Sequence, residues 1–417
     1  MHSFPVDDLR QQFPALEQAG RFVFFDNAAG AQIPARVLAA VTDHLVTRNV
    51  QRGGPYRHSR EVDAMIARAR ASLAAFVNAR SADEIAFGLN ATSFIRAISL
   101  AVGQTLGSRQ EIVVSEADHE ANVATWLALE RLGARLVWWR VRDDGRLHTA
   151  DLDAVLTERT RLVACTVASN ATGTLVDVAD VARRAHRVGA EVFLDAVHYA
   201  PHGPIDVQAI DCDYLVCSGY KIFAPHMGFA WCRREAINRL PTFREDFIPD
   251  VTPDKLEAGT YVYENVAGMD AAVGYLEDLG TRLGPAKGRG SRTAVLHEAM
   301  DAIAEYERTL SADLLDAVGG ISGATVHGVT DRDRLGERVP TLCFSVADVD
   351  SSAIAAGVAA RDVGIRSGHM YSPRLMARLG RMPAGVVRAS LVHYNTATEI
   401  ARFRDVLGEV VDELSRT

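Results

Sequence analysis

Seven short apolar runs that alternate with helical segments constrain the fold of this chain more than any other feature. The runs are Ile85–Phe87, Ile112–Val114, Leu136–Trp139, Leu162–Val167, Val192–Leu194, Tyr214–Val216 and Phe229–Trp231. Between them, helices fit near residues 92–105, 120–132, 150–157 and 178–188. Continuous apolar strands that alternate with helices are typical of a mostly parallel sheet covered on both faces. We therefore predict an α/β fold with a seven-stranded sheet, whose functional residues gather at the carboxyl ends of its strands.

The remainder of the chain predicts a second, smaller unit. Glycines and Pro285 cluster in Leu283–Thr293, which marks a boundary or an exposed loop. After this cluster, a long helix, two strands and two shorter helices fit near residues 293–317, 340–346, 386–391, 351–361 and 397–415. This mixture predicts a smaller α+β domain. We assign residues 20–285 to the large domain, and residues 1–19 with 286–417 to the small domain.

Composition and charge narrow the class of protein. Hydrophobic residues make up 48% of the 417 residues and the net charge is −8, which argues against a broad nucleic-acid-binding surface. The five cysteines form no C-x-x-C pair, as expected for reduced thiols in a cytosol. The first residues lack the basic start and apolar core of a signal peptide, and no apolar run is long enough to span a bilayer. We expect a cytoplasmic protein that binds neither membranes nor nucleic acid.

Two predicted strands end beside residues of opposite charge. Asp195 follows one apolar run directly, and Lys221 follows the next run after Ser218 and Gly219. A pyridoxal phosphate enzyme needs a lysine that forms a Schiff base with the cofactor, and a carboxylate that keeps the pyridine nitrogen protonated. A carboxylate beside a cation in a dry pocket stays ionised, so the pair is self-consistent. The alternative is that Asp195 caps a helix and Lys221 lies on the surface.

The stretch from Gly88 to Ser93 follows a predicted strand and opens a predicted helix. Backbone amides at the helix start, with the hydroxyls of Thr92 and Ser93, form a suitable anion site. Simple N-capping by Asn90 or Thr92 is the alternative. The chain has neither a dinucleotide-binding nor a P-loop glycine fingerprint at this place. A nicotinamide-dependent dehydrogenase is therefore disfavoured.

Polar residues also follow two other predicted strands. His119 comes after one strand, where its ring could stack on an aromatic cofactor. A metal site made of Asp118, His119 and Glu120 is the competing interpretation, but consecutive residues rarely point at one ion and no second ligand motif has a familiar spacing. We predict no metal. Asn170 lies in a polar turn, where it could bind a ring hydroxyl or a substrate carboxylate, or form an Asx-turn.

Taken together, these segments resemble the class V aminotransferase superfamily, in its cysteine desulfurase and selenocysteine lyase branch. The resemblance runs from about Phe13 to about Leu414. Its motifs are Phe25–Ala29, Asp118–Asn122, Ser169–Thr174, Asp195–His198, Ser218–Lys221, Glu257–Thr260 and Val387–Ser390. It implies the fold of the pyridoxal phosphate-dependent transferases of the aspartate aminotransferase type (fold type I). It also implies pyridoxal phosphate as cofactor and a homodimer.

The resemblance implies a role for each matching residue. Lys221 would hold the cofactor, Asp195 would pair with the pyridine nitrogen, and His119 would stack on the ring. The implied cofactor-binding residues are Lys221, Asp195, His198, His119, Asn170, Ala91, Thr92, Ser218 and Thr260, the last for a neighbouring subunit's phosphate. The implied substrate-binding residues are Arg388, Asn27 and Ala28. The guanidinium fork of Arg388 suits a carboxylate, which it binds through two parallel hydrogen bonds.

One loop departs from the desulfurase pattern. In desulfurases of this branch, a loop after Arg-x-Gly-His carries the cysteine that accepts sulfur as a persulfide. The matching loop here is Arg366–Pro373, and Tyr371 stands in place of that cysteine. No cysteine follows Cys343, which lies in a predicted core strand, whereas a thiolate nucleophile needs exposure. The chain therefore resembles a subgroup that lacks the persulfide cysteine.

The expected reaction begins with removal of the Cα proton of an amino acid by Lys221. By analogy with the branch, we expect a C–S β-lyase that acts on cysteine or an S-substituted cysteine without a persulfide relay. The alternatives are aminotransfer and epimerisation, with Tyr371 as a second catalytic acid in the latter. A protein that binds pyridoxal phosphate without turnover is a further alternative. The complete set of Asp195, Lys221, His119 and Arg388 argues against that last class.

Overall fold

The computed structural model describes residues 4–285 and 287–416. Its strands, β1 to β13, are Val23–Phe24, Ile85–Gly88, Glu111–Ser115, Arg135–Trp139, Thr160–Thr166, Glu191–Asp195, Tyr214–Ser218, Gly228–Cys232, Ala324–His327, Thr341–Val346, Val363–Gly364, Arg366–Gly368 and Val386–Ser390. Its α-helices, α1 to α14, are Val6–Arg10, Pro14–Gln18, Ala35–Thr47, Arg57–Phe76, Ala91–Gly103, Ala121–Leu127, Val178–Arg187, Val207–Ile210, Arg234–Ile237, Tyr263–Leu283, Arg292–Gly319, Ser351–Ala359, Pro373–Arg378 and Ala397–Leu414.

The largest sheet has seven strands in the order β2-β8-β7-β6-β5-β3-β4. Strand β8 runs antiparallel to both of its neighbours, β2 and β7, and the remaining neighbours are parallel. All seven predicted apolar runs fall on these strands. The prediction of an α/β fold with a mostly parallel seven-stranded sheet is confirmed.

Both faces of this sheet are buried. Along β3, Ile112 and Val114 pack into one hydrophobic cluster with α5 and α6, while Val113 packs into the cluster that contains α4 and α10. A strand buried on both faces has no polar side to alternate with its apolar side. This explains why the sequence of these strands reads as continuous apolar runs.

A second sheet is antiparallel and has the order β12-β13-β10-β9. Helices α11, α12 and α14 contact this sheet or one another, and Phe344 and Phe403 lie in their shared cluster. Helix α11 contributes Met300 to the core of the large sheet and Leu314 to the core of the small one. The division of the chain into residues 20–285 and the rest stays a prediction.

Several elements differ from the predictions. The helix expected at 150–157 is a short 3-10 segment, Thr149–Ala154, and neither α10 nor β9 was predicted. Helix α10 contains three glycines, which lower helix propensity. Two of them allow close packing: a Cβ on Gly268 would lie 2.5 Å from the Pro225 ring, and one on Gly280 would lie 2.0 Å from the Val295 carbonyl oxygen. Tertiary packing thus outweighs the low helix propensity of this segment.

Within the described residues, no helix has both the length and the apolar character that crossing a bilayer requires.

Candidate active site

One cavity lies at the carboxyl ends of the parallel strands. Strand β5 ends at Thr166, β6 at Asp195 and β7 at Ser218, and all three residues line the cavity, which has a volume of about 240 Å³. The other lining residues are Asn90, Ala91, Thr92, Ile95, His119, Ala121, Asn170, Val197, His198, Tyr220 and Lys221. Eight of the nine residues predicted to bind the cofactor thus lie around one space.

Lys221 reaches the cavity through a tight turn after β7. The Gly219 N–H donates to the Met227 carbonyl over 2.6 Å, and a Cβ on Gly219 would lie 2.5 Å from the Pro225 carbonyl oxygen. The Lys221 side chain is buried. Burial and the nearby Arg388 guanidinium lower its pKa to about 8, against the opposing effect of Asp195. About a tenth of the amine is therefore neutral at pH 7, far more than for an ordinary lysine, and the neutral form is the one that a nucleophile or base requires.

Asp195 is buried at the end of β6, and its Oδ1 accepts the N–H of Val197 over 2.9 Å. Burial raises the pKa of this carboxyl group, whereas the Val197 N–H and the Lys221 amine act in the opposite direction. A buried carboxyl group in this setting is stabilised as an anion by a nearby cation. A protonated pyridine nitrogen is such a cation.

Two histidines face the cavity in their neutral forms. His119 accepts the N–H of Ala121 at Nδ1 over 3.1 Å, and burial followed by the charge of Lys221 lowers its pKa to about 4. Burial also lowers the pKa of His198 well below its usual value. His198 Nε2 bonds to the Thr341 hydroxyl over 3.0 Å, while its buried Nδ1 has no partner among the described residues.

Helix α5 begins at the wall of the cavity. Asn90 caps it: the Asn90 side chain accepts the N–H of Ser93, and the Ser93 hydroxyl reaches back to the Asn90 backbone. Ala91 donates its N–H to the Ser218 hydroxyl over 3.1 Å. A Cβ on Gly228 would lie 2.5 Å from the Asn90 carbonyl carbon, so only glycine lets β8 approach this closely. N-capping by Asn90 is thus observed, and an anion site at the same helix start stays a prediction.

The residues present fit pyridoxal phosphate. A buried amine of lowered pKa suits its aldehyde, the buried Asp195 carboxyl group suits its pyridine nitrogen, and the start of α5 suits its phosphate. The unpartnered Nδ1 of His198 offers a further polar contact for the ring. The chain therefore has complementary chemistry for each end of this cofactor.

Asn170 and Thr260 have contacts that the sequence did not reveal. Asn170 lines the cavity, but its side-chain amide donates to the Met370 carbonyl over 2.6 Å and its oxygen accepts the Ser372 hydroxyl over 3.0 Å. Thr260 is exposed, accepts a hydrogen bond from Gln51 over 2.7 Å and is not in the cavity wall. A role for Thr260 in a neighbouring subunit stays a prediction.

Arg388 lies close to the cavity on β13, on the small antiparallel sheet. Its guanidinium donates to the Asn170 carbonyl over 2.8 Å and to Asp26 over 2.9 Å, and its buried Nε has no partner among the described residues. Asp26 also pairs with Arg366 over 2.8 Å. One carboxylate thus holds two arginines, and the Arg388 charge is close enough to Lys221 to lower its pKa.

The structure turns Asn27 and Ala28 toward the scaffold. The Asn27 side chain donates to the Phe24 carbonyl over 2.8 Å and to the Ser390 carbonyl over 3.0 Å, and it accepts from the Tyr394 hydroxyl. The Ala28 N–H donates to the Ser390 hydroxyl over 2.8 Å. These contacts fix the turn that carries Asp26 against β13, and neither residue lines the cavity.

Tyr371 lies next to the cavity, against one of its wall residues. Its ring centroid is 5.6 Å from that of His119, and the residue is 56% exposed. The Tyr371 N–H donates to His369 Nδ1 over 3.0 Å. The residue that the resemblance places at the persulfide position is thus beside the cavity and open to solvent.

Sequence reasoning missed two further groups. Asp26 directly precedes the predicted Asn27, yet its partners Arg366 and Arg388 lie far away along the chain. Glu120 and Arg374 form an ion pair of 3.2 Å beside Tyr371, and no local pattern indicates a pairing between residues so far apart in the chain. The described residues contain no cluster of three or more His, Cys, Asp or Glu side chains arranged to hold a metal.

Comparisons with known proteins identify the family of this chain. The family model Aminotransferase class-V matches residues 23–403. The chain is 35% identical to the Aminotransferase-like protein FGM3 of Gibberella zeae, over 95% of this chain and 96% of that protein. It is 31% identical to a probable cysteine desulfurase of Streptomyces coelicolor, over 97% of each.

A solved structure extends the likeness to three dimensions. The crystal structure of the cysteine desulfurase CsdA from Escherichia coli superposes with a TM-score of 0.84 and 26% identity, over 99% of this chain and all of that one. The predicted fold type I architecture is thereby confirmed. On these grounds the chain belongs to the aminotransferase class-V family and is a pyridoxal phosphate-dependent enzyme with cysteine desulfurases among its homologues.

Proposed function

We propose that the protein is a pyridoxal phosphate-dependent C–S β-lyase. Its substrate would be cysteine or an S-substituted cysteine, and sulfur would leave without passing through a protein-bound persulfide. The observation that carries this proposal is the state of the cysteines. Each of the five is completely buried, and the resemblance places Tyr371 at the loop position of the persulfide cysteine.

The buried thiols are poor sulfur acceptors. Burial is the largest cause that raises the pKa of each one above its usual value. Cys343 lies on β10, in a cluster with Met370 and Met376. A thiolate nucleophile needs a lowered pKa and an accessible sulfur, and these thiols have neither.

Substrate binding in this proposal depends on Arg388. A substrate carboxylate would accept from its unpartnered Nε, in a site where burial makes a charge-assisted hydrogen bond strong. Asp26 and the Asn170 carbonyl hold the other two guanidinium nitrogens, so the fork cannot rotate freely. This orientation would direct Cα toward Lys221, whose amine is close enough to Arg388 for each charge to affect the other.

Lys221 would move the proton that starts the reaction. Its neutral Nζ takes the Cα proton, and the Cβ–S bond then breaks with its electron pair leaving on sulfur. Bound pyridoxal phosphate supplies the electron sink for the Cα–H bond pair. With one water, an S-substituted cysteine then gives a thiol, ammonia and pyruvate. Lys221 then gives the proton to the departing sulfur, so the protein ends the cycle unchanged.

Product analysis with S-substituted cysteines tests this proposal. The enzyme should release one pyruvate and one ammonia for each thiol, and Lys221→Ala should abolish release while leaving the fold intact by circular dichroism. Transfer of the amino group to an added keto acid, with no thiol released, would assign the enzyme to the aminotransferases. Inversion at Cα without bond cleavage would assign it to the epimerases.

We also propose that the enzyme works as a cytoplasmic homodimer. The motif around Thr260 supports the dimer because the residue is exposed and lies outside its own subunit's cavity. Five unpaired thiols are compatible with a reducing compartment.

A further inference from the structure

The segment from Arg366 to Pro373, called here the Tyr371 loop, has an unusual backbone. Met370 and Tyr371 have φ angles of 52° and 56°. Residues with side chains avoid this left-handed region, and two consecutive ones persist only where their surroundings hold them. The contacts that hold the Tyr371 loop in this conformation therefore indicate its function.

Three hydrogen bonds anchor the Tyr371 loop to the cavity wall. Asn170 donates to the Met370 carbonyl over 2.6 Å and accepts the Ser372 hydroxyl over 3.0 Å, while the Glu120 N–H donates to the Tyr371 carbonyl over 2.7 Å. Met370 and Ser372 are buried. The loop is thus fixed on both sides of Tyr371, and both polar groups of the Asn170 side chain bind to it.

An ion pair clamps the far end of the loop. Arg374, just beyond Pro373, pairs with Glu120 over 3.2 Å, and its guanidinium lies 4.8 Å from the centre of the Trp138 ring. Trp138 belongs to β4, an outer strand of the large sheet. The clamp therefore connects the loop to the segment that carries His119 and to the sheet itself.

The held loop presents one aromatic ring beside the cavity. The Tyr371 ring is tilted 31° from that of His119, and more than half of the residue is exposed. The cavity of about 240 Å³ must also contain the cofactor. A bulky substituent on a substrate sulfur would then extend past His119 and meet the open face of Tyr371.

We infer that Tyr371, held by the Glu120–Arg374 pair, determines specificity for the sulfur substituent and favours aromatic groups over small alkyl groups. Aromatic rings attract one another in offset or edge-to-face arrangements, beyond the area that they bury. This inference rests on the proposed β-lyase function, because it assumes that the substrate carries a group on sulfur. It assigns Tyr371 to substrate choice, and Glu120 and Arg374 to positioning.

The test compares S-benzylcysteine with S-methylcysteine in the wild type and in Tyr371→Ala and Tyr371→Phe. Binding is measured from the change in cofactor absorbance, and turnover from keto acid release. Tyr371→Ala should lower the preference for the benzyl compound by about three- to tenfold, as expected for loss of one aromatic contact. Tyr371→Phe keeps the ring and should keep the preference.

Positioning is tested with Glu120→Gln and a matched control. The pair Glu277–Arg292 has nearly the same exposure, 35% for each side chain against 34% for each in Glu120–Arg374, and lies on α10 and α11. Glu120→Gln should lower the benzyl preference and speed hydrogen exchange at the amides of Met370 and Tyr371. Glu277→Gln should change neither quantity.

Four outcomes would overturn the inference. An unchanged benzyl preference in Tyr371→Ala rejects selection by Tyr371, and equal losses in Tyr371→Phe and Tyr371→Ala reject the ring as its cause. Unchanged hydrogen exchange in Glu120→Gln shows that the Glu120–Arg374 pair does not hold the loop. An equal change in hydrogen exchange in Glu277→Gln shows that the loss of any ion pair has the same effect. If keto acid never forms but the binding preference depends on Tyr371, the proposed function fails while the specificity role stands.

Discussion

Lys221 gives the clearest prediction at the scale of a single residue. Only the neutral amine can attack the cofactor aldehyde, and burial beside Arg388 lowers the pKa of that amine to about 8 from the ordinary 10.5. Covalent capture of pyridoxal phosphate by the cofactor-free enzyme should therefore speed up about tenfold per pH unit below pH 8 and level off above it. Stopped-flow absorbance at a series of pH values measures this rate.

The same experiment identifies the cause of the lowered pKa. Arg388 is the second cause after burial, so Arg388→Gln should move the pH at which the capture rate levels off upward. A capture rate that keeps rising through pH 10 in the wild-type enzyme would show that Lys221 is not in the environment described. A midpoint that does not move in Arg388→Gln would assign the whole effect to burial.

Site residues could be predicted where a short motif follows an apolar strand. Asp195, Lys221, His119 and Asn170 were found in this way, because parallel strands bring their carboxyl ends to one edge of the sheet. The bond of Asn170 to Met370 and that of Arg388 to Asp26 could not be predicted. They join segments that are far apart in sequence, and no local pattern indicates which distant groups will meet.

At the scale of the elements, the buried pair between His202 and Glu307 links α11 to the segment after β6. Both side chains are 2% exposed, and His202 Nδ1 lies 2.7 Å from a Glu307 carboxylate oxygen. Removal of one partner leaves the other buried without its hydrogen bond. Glu307→Ala should therefore lower the free energy of unfolding by about 1 to 3 kcal/mol, measured by urea denaturation.

An exposed pair serves as the control for that measurement. Glu61 on α4 contacts Arg57 one helical turn away over 2.9 Å, and both side chains are open to solvent. Glu61→Ala should leave the free energy of unfolding almost unchanged, because exposed ion pairs contribute little. Equal losses of stability in the two variants would show that the His202–Glu307 pair has no special role in joining α11 to the large sheet.

The predictability of the elements depended on what each one packs against. The strands of the large sheet were recognised because burial on both faces leaves continuous apolar runs. Helix α10 was missed because its glycines suit close packing rather than helix formation. Strand β9 was missed because it is a partly exposed edge strand with a weak pattern.

At the scale of the whole molecule, the expected homodimer can be tested with hybrid subunits. Lys221→Ala removes the lysine of a subunit's own site, whereas Thr260→Ala should weaken phosphate binding in the neighbouring site. A hybrid dimer contains one Lys221→Ala subunit and one Thr260→Ala subunit. In the site of the second subunit, its own Lys221 is combined with the intact Thr260 of the first. That site should bind cofactor about tenfold more tightly than either site of the Thr260→Ala dimer, as expected for a hydrogen bond to a charged group.

Equilibrium titration of the hybrid with pyridoxal phosphate distinguishes the arrangements. Thr260 acting within its own subunit would leave the hybrid's lysine-bearing site as weak as those of Thr260→Ala. A monomer in sedimentation experiments at micromolar concentration would contradict the expected dimer outright.

Cleavage of the C–S bond without a protein-bound persulfide determines the fate of the sulfur of L-cysteine. After one turnover with ³⁵S-labelled L-cysteine, all label should appear as free sulfide, together with an equal amount of pyruvate. The protein should carry no label before reductant is added. Alanine as the product, with label bound to the enzyme and released by a reductant, would show that a protein-bound persulfide forms.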